Sequence, residues 1–161
     1  MKQKNFIGIC AAFLFALLLL PHRVVAVECY TPDELEAEQG LRLHTDLEVI
    51  MLTCKYDGYR RPLKDSYAIF LKKYSAQIRK WENTIARIYA SSGGSRNEVI
   101  DNFRTALANQ KSHEASTMNP RQFCIAYANW VPGVASWSQE QVMNYVRTPD
   151  SARPTKKPPC L

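Results

Sequence analysis

Residues 43–54 constrain the fold of this chain more than any other stretch, because they combine a helical apolar pattern with a cysteine at its end. Their apolar side chains recur at steps of four, three and four residues, at Leu43, Leu47, Ile50 and Cys54. Steps of this size place side chains on one face of an α-helix. We therefore expect the stretch to be the buried strip of a first helix, with Cys54 near its end.

Signals that start helices recur along the chain. Thr31, Ser95 and Ser138 each stand three residues before a glutamate or glutamine, which is the pattern of a capping box. A proline follows Thr31 and another follows Asn119, and proline is favoured in the first helical position. These four positions predict four helix starts, and Pro62 allows one more.

The apolar periodicity between these signals predicts an all-α fold: an up-down four-helix bundle with a short fifth helix and an extended C-terminal tail. The expected helices cover residues 32–55, 62–89, 95–111, 119–130 and 138–147. Residues 112–117 are expected to form a loop or a frayed helix end. Pro132-Gly133 is expected to stop the fourth helix within an apolar loop.

The N-terminus has the pattern of a secretory signal peptide. Lys2 and Lys4 precede an apolar run over residues 6–20, and Val24-Val25-Ala26 suits signal peptidase. The run is too short for a membrane-spanning helix. The pattern divides the chain into a signal peptide (1–26), a helical domain (27–147) and a Pro-rich basic tail (148–161). A periplasmic or secreted location is expected, with no stable membrane span after cleavage.

The positions of the cysteines predict which disulfides cross-link the bundle. Signal cleavage would remove Cys10 and leave an even number of cysteines, which in an exported chain indicates disulfides. In an up-down bundle, Cys54 at the end of the first helix and Cys124 at the start of the fourth lie at one end. Cys29 and the tail with Cys160 lie at the other. A disulfide needs Cα atoms within about 7 Å, so we predict the pairs Cys54–Cys124 and Cys29–Cys160.

Three short motifs resemble those of a known family. They are LEVIMLTC at 47–54, RTALANQKS at 104–112 and FCIAYA at 123–128. Over roughly residues 29–130 the chain resembles a family of small, exported, uncharacterised helical proteins of alphaproteobacteria. The resemblance implies a periplasmic or secreted bacterial setting and no particular activity. The fifth helix and the tail depart from the family pattern, so the resemblance gives no support to the Cys29–Cys160 pair.

The charges predict solvated helix faces. Acidic residues in and before the first helix suit its N-terminus, and a solvated face is expected for Glu28, Asp33, Glu34, Glu36 and Glu38. The leader holds three basic residues, so the mature chain carries about half of the precursor net charge of +6. A charge of that size does not indicate nucleic-acid binding.

Residues with catalytic or metal-binding chemistry are sparse. His44 is expected at the boundary of the core, and His113 lies in the predicted polar loop with no second ligand at metal spacing. Glu48 and Glu114 are the mid-chain candidates for a carboxylate pair, and neither differs from a surface charge. We therefore expect no enzyme activity, no metal and no cofactor.

Two surfaces are candidates for contact with a partner. One is the basic face of the second helix, with Lys72, Lys73 and Lys80. The other is the apolar loop flanked by Trp130 and Trp137, whose rings are expected to pack on the bundle end; the alternative is that they form an exposed contact surface. The sequence favours an exported interaction or structural module that binds a protein or a cell-envelope component.

The alternative function is a carrier for a small apolar or aromatic ligand inside the bundle. Tyr67, Tyr74, Trp81 and Phe103 would line its pocket. A carrier needs a cavity on the order of a few hundred Å³, so a filled core would remove this alternative.

Overall fold

The chain folds into a bundle of helices, which confirms the all-α class predicted from the sequence. The computed structural model describes residues 28–56, 60–90, 93–150 and 153–160, and the predicted signal peptide lies outside them. The helices in these ranges are α1 (Pro32–Thr53), α2 (Arg60–Ile88), α3 (Arg96–Met118), α4 (Pro120–Tyr127), α5 (Trp130–Ser136) and α6 (Gln139–Arg147). A search of the described helices finds none that is both long and apolar enough to cross a membrane.

The helices begin where the capping signals predict. Ser95 accepts a hydrogen bond from the amide of Glu98, and Ser138 accepts one from the amide of Gln141. In return, the side chains of Glu98 and Gln141 accept hydrogen bonds from the backbone amides of Ser95 and Ser138, which completes each capping box. At the start of α1, the backbone amide of Thr31 donates to the Glu34 carboxylate at 2.8 Å, which is the Glu half of such a box. These contacts involve only near neighbours, so the sequence was sufficient to predict them.

Helix α1 is central, because each of the other five helices packs against it. Every residue from 35 to 45 is buried, so the buried segment begins well before the predicted strip. A Cβ added at Gly40 would lie 2.3 Å from the ring of Trp81. The indole of Trp81 therefore lies directly on the α1 backbone, and Gly40 allows α2 to approach that closely.

The first half of α1 is not a solvated acidic face. That expectation is wrong for Glu36 and Glu38, which are 3% and 0% exposed. Glu36 pairs with Arg147 of α6 at 2.9 Å. Glu38 pairs with Arg42 at 3.3 Å and accepts a hydrogen bond from the backbone amide of Lys156 at 3.0 Å. Buried carboxylates require such partners. Arg42 comes from the next turn of α1, whereas α6 and the tail supply the others from far along the sequence.

Both predicted disulfides are present. Cys54, directly after α1, is bonded to Cys124 of α4, with Cα atoms 5.4 Å apart. Cys29, just before α1, is bonded to Cys160 of the tail, with Cα atoms 4.9 Å apart. The two ends of α1 are thus tied to distant parts of the chain. Two such disulfides are consistent with an oxidising compartment.

The described tail residues, 153–160, lie along α1. The backbone amide of Tyr30 donates to the carbonyl of Pro158 at 2.7 Å, and the amide of Cys160 donates to the carbonyl of Tyr30 at 2.9 Å. Farther along, Arg42 donates to the carbonyl of Pro154 at 2.7 Å. The tail is therefore held by backbone and side-chain hydrogen bonds as well as by its disulfide.

Helices also cover residues 112–117, for which a loop or a frayed helix end is expected, and most of the apolar loop expected between Trp130 and Trp137. Helix α3 continues to Met118, so residues 112–117 form its last turns. Helix α5 covers the predicted apolar loop, and the fourth predicted helix is interrupted after Tyr127 instead of at Pro132-Gly133. Pro132 is tolerated because it lies in the first turn of α5, where backbone amides have no acceptor within the helix.

Candidate functional site

A cleft of about 930 Å³ opens between α1, α3, α6, the tail and the α4–α5 segment. Three aromatic side chains line it, Tyr127, Trp130 and Tyr145, together with the carboxylates of Asp46 and Glu114. This volume lies within the range of small-molecule sites, which runs from about 300 to about 1,000 Å³. We refer to this feature as the aromatic cleft.

The predicted tryptophan pair belongs to an aromatic cluster beside the cleft. The ring centroids of Trp130 and Trp137 lie 5.3 Å apart, and Tyr145 lies 5.7 Å from the first and 5.4 Å from the second. Both tryptophans are partly buried. They therefore pack on the bundle and keep an accessible part, with Trp130 facing the cleft.

The basic face of α2 meets this cluster at one lysine. The amino group of Lys73 donates to the backbone carbonyl of Trp137, which also accepts from the Tyr74 hydroxyl at 2.7 Å. Lys72 and Lys80 are exposed elsewhere on α2, and neither lines the aromatic cleft. The structure thus brings Lys73 and the tryptophans together and leaves the other two lysines apart from them.

Glu114 is held by two neighbours on the cleft wall. Its carboxylate pairs with Lys111 at 2.8 Å and accepts a hydrogen bond from the Tyr127 hydroxyl. Burial acts to raise the pKa of Glu114, but the hydrogen bonds from Lys111 and Tyr127 outweigh it and lower that pKa below its ordinary value. The same hydrogen bond raises the pKa of Tyr127 to about 12. Glu114 is therefore an ionised, fixed part of the wall.

Asp46 is the second acid of the cleft, and its surroundings differ. It lies partly buried on α1, and no hydrogen bond or ion pair joins its carboxylate to another described residue. Burial raises its pKa to about 6, although the charges of Lys111 and Arg42 act to lower it. Asp46 is thus a carboxylate that the fold desolvates without supplying an ion pair.

The basic side chains of the cleft are already bound. Arg42 donates to Gln110 at 2.7 Å in addition to its bonds with Glu38 and the tail. Arg153 pairs with Asp150 at 3.2 Å and lies 3.9 Å from the centroid of the Tyr145 ring. These contacts restrain both guanidinium groups against the protein.

The two histidines considered in the sequence analysis, His44 and His113, lie in different environments. His44 is 4% exposed and bonds through Nε2 to the Tyr67 hydroxyl at 2.9 Å, while its buried Nδ1 has no hydrogen-bond partner among the described residues. Burial lowers the pKa of His44 to about 4, so the ring is neutral. His113 is exposed on α3 and lines the cleft, which corrects its assignment to a loop. The described residues contain no group of three or more His, Cys, Asp or Glu placed to hold a metal ion.

The other residues singled out from the sequence lie outside the cleft. Glu48 pairs with Arg104 of α3 at 2.8 Å. The aromatic side chains proposed to line an internal pocket are buried in the core between the helices, at Tyr67, Tyr74, Trp81 and Phe103. The large cleft is lined by other residues and opens at the surface of the bundle.

Of this lining, sequence reasoning singled out Trp130 as a contact residue. It considered His113 and Glu114 without assigning them to a site, and it missed Asp46, Tyr145 and Arg153. Asp46 carries a signal, because it is an acid within the apolar strip, directly before the fully buried Leu47. Tyr145 and Arg153 carry none, since their places depend on how α6 and the tail pack.

No protein-family model matches the chain, and no curated protein or solved structure shows significant similarity to it. The geometry of the cleft therefore carries the functional interpretation.

Proposed function

We propose that this protein is an exported, non-enzymatic binding protein that holds a small organic molecule in the aromatic cleft. The observation that carries the proposal is the cleft itself, a space of about 930 Å³ lined by three aromatic side chains and by six acidic or basic ones besides His113. Apolar and aromatic walls bury most of a small ligand, and a few polar groups orient it. A carrier was the alternative function in the sequence analysis, with a pocket inside the bundle; the present proposal assigns the ligand to the cleft instead.

The polar groups of the cleft support binding more than catalysis. Glu114 is fixed by Lys111 and Tyr127. Asp46 has the raised pKa typical of functional carboxylates, but no hydrogen bond within the described residues orients it for proton transfer. Such an arrangement suits recognition of a ligand.

The expected cellular setting is the periplasm or the exterior of a bacterium. The predicted signal peptide, the two disulfides and the resemblance to exported alphaproteobacterial proteins all support it. A ligand carrier in that setting would meet molecules taken up from, or released to, the surroundings.

A ligand-observed NMR screen with small aromatic amines, alcohols and acids tests the proposal. We expect hits that Trp130→Ala weakens about tenfold or more, because the variant removes one of the three aromatic side chains that line the cleft. Ile69→Ala serves as the control, since Ile69 is 57% exposed and does not line the cleft. A screen without hits, or hits that are equally strong in Trp130→Ala, would count against the cleft as the binding site.

A second candidate function is the interaction module expected from the sequence. The contact between Lys73 and Trp137 favours it, because it makes one continuous surface of the basic face and the aromatic cluster. A photo-cross-linking residue at position 137 should then capture one discrete partner protein. The same residue at position 64, which is an exposed lysine elsewhere on α2, should not capture it.

A further inference from the structure

We propose that the ligand of the aromatic cleft is an organic ammonium ion with an aromatic or apolar body, and that its charged head binds the carboxylate of Asp46. This inference rests on the proposed binding function and adds the chemical class of the ligand. Three observations lead to it: the charge balance of the lining, the burial of Asp46 and the aromatic faces beside it.

The first observation is that each basic side chain of the lining has its own acidic partner. The three pairs are Arg42–Glu38 at 3.3 Å, Lys111–Glu114 at 2.8 Å and Arg153–Asp150 at 3.2 Å. Asp46 remains as the lining acid that forms no ion pair with a described residue. The three ion pairs cancel, so the charged residues of the lining and their partners together carry one excess negative charge, that of Asp46.

The second observation is the burial of that carboxylate. A desolvated carboxylate without a counter-ion is costly, and at Asp46 desolvation outweighs the attraction of Lys111, Arg42 and Arg153. A ligand that brings a positive charge and N–H donors into the cleft would compensate this cost. An uncharged ligand would do so only in part.

The third observation is that aromatic rings of the cleft already bind cations. The amino group of Lys111 lies 3.8 Å from the centroid of Tyr127, and Arg153 lies 3.9 Å from that of Tyr145. Trp130 lines the same cleft, with its ring centroid 5.7 Å from that of Tyr145, and no cation from the described residues lies over its ring. Tryptophan is the best cation–π partner among the aromatic side chains, so Trp130 is suited to an ammonium group.

The alternative is an anionic ligand, because three basic side chains also line the cleft: Arg42, Lys111 and Arg153. Their donors are largely in use, however: Arg42 bonds to Glu38, Gln110 and the carbonyl of Pro154. An anion would have to break such bonds and would also meet the charge of Asp46. An ammonium ion meets a carboxylate that forms no hydrogen bond or ion pair with another described residue.

Three matched probes test the assignment: phenethylamine, phenethyl alcohol and phenylacetate, which share an aromatic ring and differ in charge. Titration calorimetry at neutral pH should show phenethylamine binding at least about tenfold more tightly than either of the others, a difference of about 1.4 kcal/mol. In Asp46→Asn the amine should lose this advantage and bind like the alcohol. Asp101→Asn is the matched control, because Asp101 is exposed on α3 away from the cleft.

The pH dependence in the unmodified protein gives a readout that needs no variant of Asp46. Amine binding should weaken as the pH falls through about 6, where Asp46 takes up a proton, and alcohol binding should not. The other charged groups around Asp46 are Arg42 of α1, Lys111, His113 and Glu114 of α3, and Asp150 and Arg153 after α6. Because the imidazole of His113 also lines the cleft, the series is repeated in His113→Gln, which should keep the pH dependence.

Tightest binding of phenylacetate, or an amine preference that survives in Asp46→Asn, would overturn the assignment. Equal binding of all three probes would overturn it too, but would leave the proposed binding function intact, provided Trp130→Ala still weakens them. Binding that is insensitive to Trp130→Ala would remove both.

Discussion

At the scale of single residues, His44 and Asp46 show how burial on α1 sets opposite pH dependences. Burial lowers the pKa of His44 from 6.5 to about 4 and raises that of Asp46 from 3.8 to about 6. Between these values the unfolded chain protonates His44 and the native protein does not, so His44 costs stability as the pH falls. The native protein protonates Asp46 and the unfolded chain does not, so Asp46 costs stability as the pH rises. The two effects oppose each other.

Replacing Asp46 by Asn should therefore expose the effect of His44. We expect the variant to be more stable than the parent at neutral pH by as much as about 3 kcal/mol, since about two pKa units of unfavourable burial are removed. Its stability relative to the parent should fall on acidification from about pH 6 to about pH 4. Urea unfolding at a series of pH values measures both effects.

The reverse trend is expected in His44→Gln, whose stability relative to the parent should be lowest near neutral pH and improve towards about pH 4. Parallel curves for the parent and both variants would contradict this account. A carboxylate kept at a cost in stability is a common property of functional sites, in agreement with the role proposed for Asp46.

At the scale of elements, α1 is the helix around which the others are arranged. The apolar strip that ends at Cys54 was predicted from spacing alone, and it is buried as expected. The helical segment before this strip contains the charged residues Glu36, Glu38 and Arg42, and these are buried as well. A helix buried on nearly all sides has no polar face for a pattern to reveal, so its periodicity understates its burial.

The close contact between α1 and α2 gives a sharp test of this packing. Gly40→Ala should destabilise the protein by about 1–3 kcal/mol, because the new Cβ would lie 2.3 Å from the Trp81 ring and force the two helices apart. The fluorescence of Trp81 should shift with it. Thermal and urea unfolding give the size of the effect.

Gly133→Ala is the matched control within the same chain. A Cβ at Gly133 in α5 would meet no atom within 4 Å, so the variant should be neutral or more stable by about 0.5–1 kcal/mol, the usual helical preference for alanine. A Gly40→Ala variant as stable as the parent would show that the two helices do not pack in this way.

At the scale of the whole molecule, two disulfides and the tail connect parts of the chain that are far apart in sequence. Cys54–Cys124 ties α1 to α4, and Cys29–Cys160 ties the start of α1 to the tail. The second link also places Asp150 and Arg153 at the wall of the aromatic cleft. The two bonds should therefore differ in what their loss affects.

Replacing both Cys54 and Cys124 by Ser should cost about 2–4 kcal/mol of global stability, because the bond restricts the unfolded chain over a separation of 70 residues. The helical protein should also become more sensitive to proteases throughout. Urea unfolding and limited proteolysis measure the loss. An unchanged unfolding midpoint and an unchanged digestion pattern would show that this bond does not stabilise the fold.

In the variant with Cys29 and Cys160 both replaced by Ser, the tail should instead detach from α1 before the helices unfold. Trypsin should cleave after Lys156 while the helices stay intact, and binding in the cleft should weaken, since part of its wall comes from the tail. Protection of Lys156 in that variant would show that the hydrogen bonds of the tail suffice to hold it.

The sequence by itself determined the features that depend on near neighbours and on chain order. The capping boxes at Ser95 and Ser138 involve residues three positions apart, and the apolar strip before Cys54 repeats over single helical turns. The disulfide pairing followed from alternating helix directions, which short connections impose.

Only the tertiary structure decided which polar residues are buried and where the cleft lies. Glu36 and Glu38 are buried because α6 and the tail bring Arg147 and the backbone of Lys156 to them. Asp46 lines a cleft because Tyr145 and the tail close over it. These partners stand about a hundred residues away in the chain, and the free energy of burying a charge depends on its partners in space, which no local pattern contains.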